Sequence, residues 1–307
     1  MDPSPVTAAA DSWPPLPLAQ WEPTRATLHM WTQIVGKIRT KLAPPLNHYW
    51  HSALYVTARG LTTSPIPYGG QAFEIGFDFL DHQLHIRTHR GDNRTVKMYP
   101  RSVADFYRET MAKLGELGIE VKIWTMPQEV PEPIPFDRDE QHASYDADAA
   151  TRFWRILLSC SRAFEELRCG FVGKQSPVHF FWGSMDLAVT RFSGRRAPER
   201  PGADPVTREA YSHEVASVGW WPGSGDIKDA AFYAYAAPAP AGFDQASIRP
   251  EKAFYLAALG EYILMYDDVR RSSDPRGAIR EFAENVYRAT ATLGNWDKSL
   301  ERTPPAK

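Results

Sequence analysis

Residues 176–196 read S-P-V-H-F-F-W-G-S-M-D-L-A-V-T-R-F-S-G-R-R. The density of aromatic and β-branched residues is that of a buried strand. Yet the segment carries His179, Asp186 and Arg191. Side chains alternate along a strand. His179, Phe181, Gly183, Met185, Leu187 and Val189 then share one nearly apolar face, and Phe180, Trp182, Ser184, Asp186, Ala188 and Thr190 share the other. The second face is aromatic at one end and polar in the middle, the make-up of a ligand-pocket wall. A buried Asp186 needs a partner or it takes up a proton. Arg191, His213 or a histidine of the N-terminal half would serve, and a purely structural pairing with an arginine is the competing explanation. His179, at the end of the apolar face, reads as a core histidine.

Around this segment the chain reads as α+β. A helical stripe begins near Thr27 and runs through Leu28, Trp31, Ile34, Val35, Ile38 and Leu42 to Pro44. Residues 47–63 read as a strand. Phe73, Ile75, Phe77 and Phe79 alternate with Glu74 and Asp78 in the first arm of a meander that turns at Asp81-His82. Ser102 caps a helix that Gly118 ends, and E-V-K-I-W reads as a short strand. Residues 127–141 hold four prolines and read as a linker. A second helix carries Phe153, Trp154, Leu157, Cys160, Phe164 and Leu167. Strands follow on either side of the turn G-S-G-D, and Asp274-Pro275 starts a last helix that Gly294 closes. The expected organisation is a flexible segment 1–20, an α+β half 21–126, the linker 127–141, a second α+β half 142–297 and a flexible tail 298–307. Trp50, Ser52 and Arg59 align with Trp182, Ser184 and Arg191 at one offset, which suggests an internal duplication with a pseudo-twofold arrangement and a cleft between the halves.

The 307 residues are 43% hydrophobic and carry a net charge of -2, so no basic field attracts nucleic acid or anionic membrane. Cys160 and Cys169 lie nine positions apart on one helix, too far to bridge, which implies reduced thiols and a cytoplasmic setting. No signal peptide and no apolar run of membrane length is present.

His48 and His51 fall on opposite faces of an extended segment, so they do not make a metal pair. His82, His85 and His89 read as exposed meander residues. His142, just before a helix, and His213-Glu214, at a strand start, are candidates for general acid–base work. We assign no metal ligand, although separated histidines with a carboxylate are compatible with a bound metal. No phosphate-binding Gly-rich loop, G-x-S-x-G or H-E-x-x-H occurs, which disfavours an organic nucleotide cofactor and the common hydrolase scaffolds.

The strings L-H-M-W-T-Q-I-V-G-K, H-S-A-L-Y-V-T-A-R-G-L-T-T-S-P-I-P-Y, P-R-S-V-A-D-F-Y, S-P-V-H-F-F-W-G-S-M-D-L-A-V-T-R-F-S-G-R-R-A-P and Y-S-H-E-V resemble a bacterial family known as domain of unknown function 5996, over about Trp13 to Trp296. The resemblance implies a bacterial single-chain protein and carries over no activity.

The residues themselves therefore set the functional expectation: an enzyme acting on a small molecule in an aromatic-lined cleft. Asp186, His213, Glu214, His142 and His48 would be its acid–base groups, with Trp50, Tyr55, Arg59, Phe180, Trp182, Ser184 and Arg191 contacting substrate. A non-catalytic small-ligand binder is the alternative, and an interaction module anchored by Trp220 and Trp221 is a third reading.

Overall fold

The computed structural model describes residues 12–225 and 227–302, and within them two antiparallel sheets and the six α-helices named below build the fold. The expected mobile ends lie partly outside these residues, as does Asp226 of the G-S-G-D turn. The fold is α+β. The chain divides into two compact units that are not sequential blocks. Among the described residues the first takes everything up to Leu46, then Trp50–Leu158 and Phe180–Asp186; the second takes Asn47–Tyr49, Ser159–His179 and the chain from Leu187 onward. The Pro-rich segment 127–141 therefore falls inside the first unit.

The first unit opens with α1 (Leu18–Leu42). It starts nine residues before the expected Thr27, because Pro23 is accommodated inside the helix and Thr27 Oγ1 bonds the Pro23 carbonyl at 3.0 Å. Trp13 and Leu16 are buried, so the expected flexible segment is ordered from there on. The segment expected as one strand, 47–63, is instead a tight 3-10 turn over Asn47–Ser52 followed by β1 (Tyr55–Val56) and β2 (Gly60–Thr62). His48 and Tyr49 both have left-handed backbones (φ 59° and 60°), which no strand tolerates. The meander is as read: β3 (Ile66–Tyr68), β4 (Gln71–Asp78), β5 (Gln83–Thr88) and β6 (Asn93–Lys97) complete a sheet ordered β1-β2-β4-β5-β6, with β3 also on β4. Helix α2 (Val103–Glu116) begins where Ser102 accepts from the Asp105 amide at 3.1 Å. Trp31 stacks on Phe106 at 4.4 Å in the core of this unit. E-V-K-I-W forms no strand; Tyr68 ties it down through the Glu120 backbone instead.

Helix α3 (Ala147–Arg168) carries its expected apolar stripe fully inward. The second sheet is ordered β11-β12-β10-β9-β8-β7. Its strands are β7 (His179–Phe181), β8 (Asp186–Arg196), β9 (His213–Trp221), β10 (Ala231–Ala237), β11 (Phe254–Leu256) and β12 (Glu261–Met265). Two short helices, α4 (Pro205–Ala210) and α5 (Tyr266–Arg270), precede α6 (Pro275–Leu293), whose Asp274 cap accepts from Gly277 N at 2.9 Å. The expected flexible tail is held at its start: Glu301 bridges Phe171. The internal duplication is not confirmed. Trp50 and Ser52 lie on a 3-10 turn and Trp182 and Ser184 on a hairpin turn, while Arg59 is exposed and Arg191 buried. Trp220 is fully buried against Tyr266 and Trp221 packs beside Ile227 and Ile263, so neither is an exposed interface anchor.

Candidate active site

The opening segment is not one strand. β7 ends at Phe181, residues 182–185 form a tight turn, and β8 begins at Asp186. Met185 takes a left-handed backbone at φ 61° to close it. Strict alternation across 179–190 is thereby lost. Phe180 is fully buried against Phe153 rather than lining a surface. Trp182, Ser184 and Asp186 are instead gathered by the turn, and the Ser184 hydroxyl donates to Asp186 Oδ1.

The turn docks on one stripe of α1. His29, Gln33, Gly36 and Lys37 follow the i, i+4, i+7, i+8 spacing of a single helix face, spanning about 12 Å along the axis. His29 Nε2 lies 2.7 Å from the Gly183 carbonyl; a carbonyl only accepts, so Nε2 carries the proton. Burial lowers the His29 pKa from 6.5 to about 4, with Gly183 opposing the shift, and the ring is neutral near pH 7. Gly36 lies under the Trp182 indole, whose Nε1 donates to the Ser52 carbonyl at 2.8 Å. A methyl group at position 36 would fall 2.1 Å from the indole. Gly36→Ala is therefore expected to destabilise the fold by about 1–3 kcal/mol through overpacking, despite the roughly 1 kcal/mol helix propensity it gains. Chemical denaturation measures it, and the loss should shrink in a Trp182→Leu background.

The Pro-rich segment is clasped to the same helix. Gln33 Nε2 donates to the Gln128 carbonyl and Gln33 Oε1 accepts from the Gln128 amide, both at 2.8 Å. Lys37 Nζ donates to the Met126 carbonyl at 2.6 Å, with the Trp124 ring centroid 4.8 Å away. Desolvation lowers Lys37 to about 8. Trp124 is 67% exposed. The clasp sets the next residue, Glu129, in a left-handed conformation (φ 55°) with its carboxylate over Gly183: a Cβ there would lie 2.8 Å from Glu129 Oε1. Glu129 is exposed to solvent, with its carboxylate against the Gly183 backbone. Desolvation raises its pKa, and the negative charge of Asp186 raises it further. Glu129 thus feels the Asp186 charge and is pushed towards its protonated form, while Asp186 accepts from the Ser184 hydroxyl.

Other residues expected in the site lie elsewhere. In the second unit His48 and His213 come together, ring centroids 5.5 Å apart. Glu214 accepts from Ser193 at 2.8 Å and from Arg195 at 2.7 Å, and Arg195 also caps α6 through the Gly294 carbonyl at 2.6 Å. Arg191 is a buried brace: it donates to the Leu167 carbonyl at 2.6 Å and Glu284 at 2.8 Å, under the Tyr287 ring. In the first unit His142 Nδ1 meets Asp139 Oδ2 at 2.8 Å, and the fully buried Asp139 also accepts the amides of Gln141 and His142. That ties His142 to the start of α2, where its carbonyl accepts from Val103 N. Tyr55 lies beside Arg39, 5.4 Å from its guanidinium, and Trp50 is half-buried in the 3-10 turn. Arg59 clamps the β4–β5 hairpin through Asp78 at 2.5 Å and Asp81 at 2.7 Å. It borders a groove of about 250 Å³ lined by Thr62, Glu74, Gly76, His85 and Arg87. Among the described residues no group of three or more His, Cys, Asp or Glu is placed to hold a metal ion.

Residues 13–302 match the sequence profile of a family described as Family of unknown function (DUF5996). The chain belongs to this family. No curated protein and no solved structure matches the DUF5996 chain. No helix among its described residues is long and apolar enough to cross a membrane. The carboxylate that sequence reasoning missed in this DUF5996 protein is Glu129. Its signal was faint: one acid among several, following T-M-P-Q in a segment whose prolines read as a spacer.

Proposed function

We propose that this DUF5996 protein is an enzyme acting on a small molecule by general acid–base catalysis, with Glu129 as acid and Asp186 as base. The observation that carries the reading is the left-handed backbone that sets Glu129 over Gly183, beside the turn that holds Asp186; desolvation first, and then the Asp186 charge, raise the Glu129 pKa. Environments that push two carboxylates apart assign their roles, because the group holding its proton can give it up while the ionised one receives. Ser184 orients Asp186, neutral His29 fixes the turn without adding charge, buried Trp182 anchors the turn on α1, and exposed Trp124 supplies apolar surface for substrate. Among the expected catalytic residues only Asp186 enters this mechanism. The free thiols of Cys160 and Cys169 agree with the reducing cytoplasm in which we place the protein.

The test is incubation of the purified protein with a cytosolic metabolite extract, read by mass spectrometry. We expect one compound to be consumed by the native protein and spared by Glu129→Gln and by Asp186→Asn. Consumption unchanged in both variants would overturn the assignment. A compound retained by the native protein but not converted would instead establish the binder, a reading that the groove beside Arg59 favours.

A further inference from the structure

We propose that the second unit carries a phosphate-binding site built by Lys174, His48, His213 and Arg196, apart from the carboxylate pair described above. Four separate stretches of chain bring these groups together. The left-handed backbone of His48 aims its ring onto Phe192, centroids 4.7 Å apart, and the Lys174 ammonium lies 4.9 Å from the same phenyl ring. Lys174 Nζ is 2.6 Å from His48 Nε2. The His213 ring stands edge-on to His48, centroids 5.5 Å apart, and Arg196 is the residue paired with His213 across the β8–β9 ladder.

The hydrogen bonds fix the protonation pattern. His48 Nδ1 is 3.2 Å from the Glu209 carbonyl, so Nδ1 holds the hydrogen and Nε2 accepts from Lys174. His213 Nδ1 is 3.1 Å from Ser212 Oγ, whose own hydrogen goes to the Glu209 carbonyl at 2.8 Å; Nδ1 of His213 is therefore the donor as well. Each imidazole thus keeps Nε2 as the atom that a second proton would occupy. Burial and the Lys174 charge lower the pKa of both rings, and Arg196 lowers that of His213 further. Desolvation lowers Lys174 itself. Like charges crowd here: Lys174 and His213 act through space on His48, and Lys174 and Arg196 on His213.

A dianion relieves that crowding. Lys174 and Arg196 offer two full charges and several N–H donors. A protonated His48 or His213 adds an Nε2–H, giving donors from different directions, as a tetrahedral phosphate oxygen cluster requires. A planar monoanionic carboxylate would neutralise only one of the charges. Phosphate binding must then favour histidine protonation, so affinity strengthens as pH falls towards the histidine range, and binding takes up protons from solution.

The experiment titrates inorganic phosphate into the full chain while histidine ring signals are followed by NMR, with sodium chloride at matched ionic strength as the control. We expect saturable shifts of the His48 and His213 resonances, proton uptake on binding, and about tenfold weaker binding in Lys174→Gln, the size of one lost charge-assisted bond. Lys174 is exposed, so this variant folds; His213→Gln is the second variant and should reduce the proton uptake, leaving the share that His48 takes. Glycerol phosphate in place of phosphate tests whether a phosphomonoester is accepted. Shifts reproduced by chloride, equal binding by acetate, or unchanged affinity in both variants would overturn the site.

Discussion

Lowering the pH from about 7 to about 4 is expected to remove about 3 kcal/mol of folding stability through His29 alone. The folded chain holds His29 at a pKa of about 4, against 6.5 for the free side chain. Between those values the unfolded chain binds a proton that the folded chain refuses. The stabilisation is therefore complete above pH 6.5 and is lost as pH falls through about 4. The charged groups acting on the ring are Arg25 and Glu22, which pair with each other at 2.6 Å and partly cancel. His48, His85 and His213 are also lowered by burial and act in the same direction, so the wild-type profile is a sum. Urea denaturation of wild type and His29→Gln at both pH values separates them: the variant should lose less stability on acidification by about 3 kcal/mol. Parallel profiles would show that His29 is protonated without penalty, and the packing of the 182–185 turn on α1 would need revision.

Once a converted compound is in hand, Glu129→Gln should lower kcat by about 10²–10⁴-fold, the usual worth of a positioned general acid. Asp186→Asn should do the same, and the double variant should fall little further than either single one, because acid and base act in one step. The pH profiles carry the diagnosis. A general acid must hold its proton, so the alkaline limb of kcat/KM belongs to Glu129, displaced upward by desolvation and by Asp186. Asp186→Asn removes that neighbouring charge and should move the alkaline limb of the residual activity downward. An alkaline limb that survives in Glu129→Gln would assign the acid to another group.

How much of this the amino-acid order disclosed depends on whether the local signal was periodic. The stripes of α2, α3 and α6, the β4–β5 hairpin and the β9–β10 pair announced themselves, because 3.6 and 2.0 periodicity are geometric consequences of burying one face. Ser102, Asp274 and Gly118 marked their helix ends for equally local reasons. Three features broke those rules. Pro23 masked the first turns of α1, two left-handed residues at His48 and Tyr49 turned an apparent strand into a 3-10 turn, and Met185 folded the opening segment back on itself. Each is a backbone conformation that its side chain does not advertise. Asp186, Ser184 and Trp182 could be grouped as candidates because the chain keeps them close together. Glu129 was missed because only the distant Gln33 and Lys37 place it, and single-sequence patterns do not report pairings across some ninety positions.

Gln33 grips the Gln128 peptide with a side-chain amide, where a neighbouring strand would ordinarily do so. A strand is released only when its sheet melts, whereas an amide side chain can let go while α1 stays intact. The acid of the proposed pair therefore rides on a tether whose opening is a local event, separable from global unfolding. In Gln33→Leu the Gln128 amide hydrogen should exchange with solvent much faster while the core of α1 remains protected, and turnover should decline with no matching loss of thermal stability.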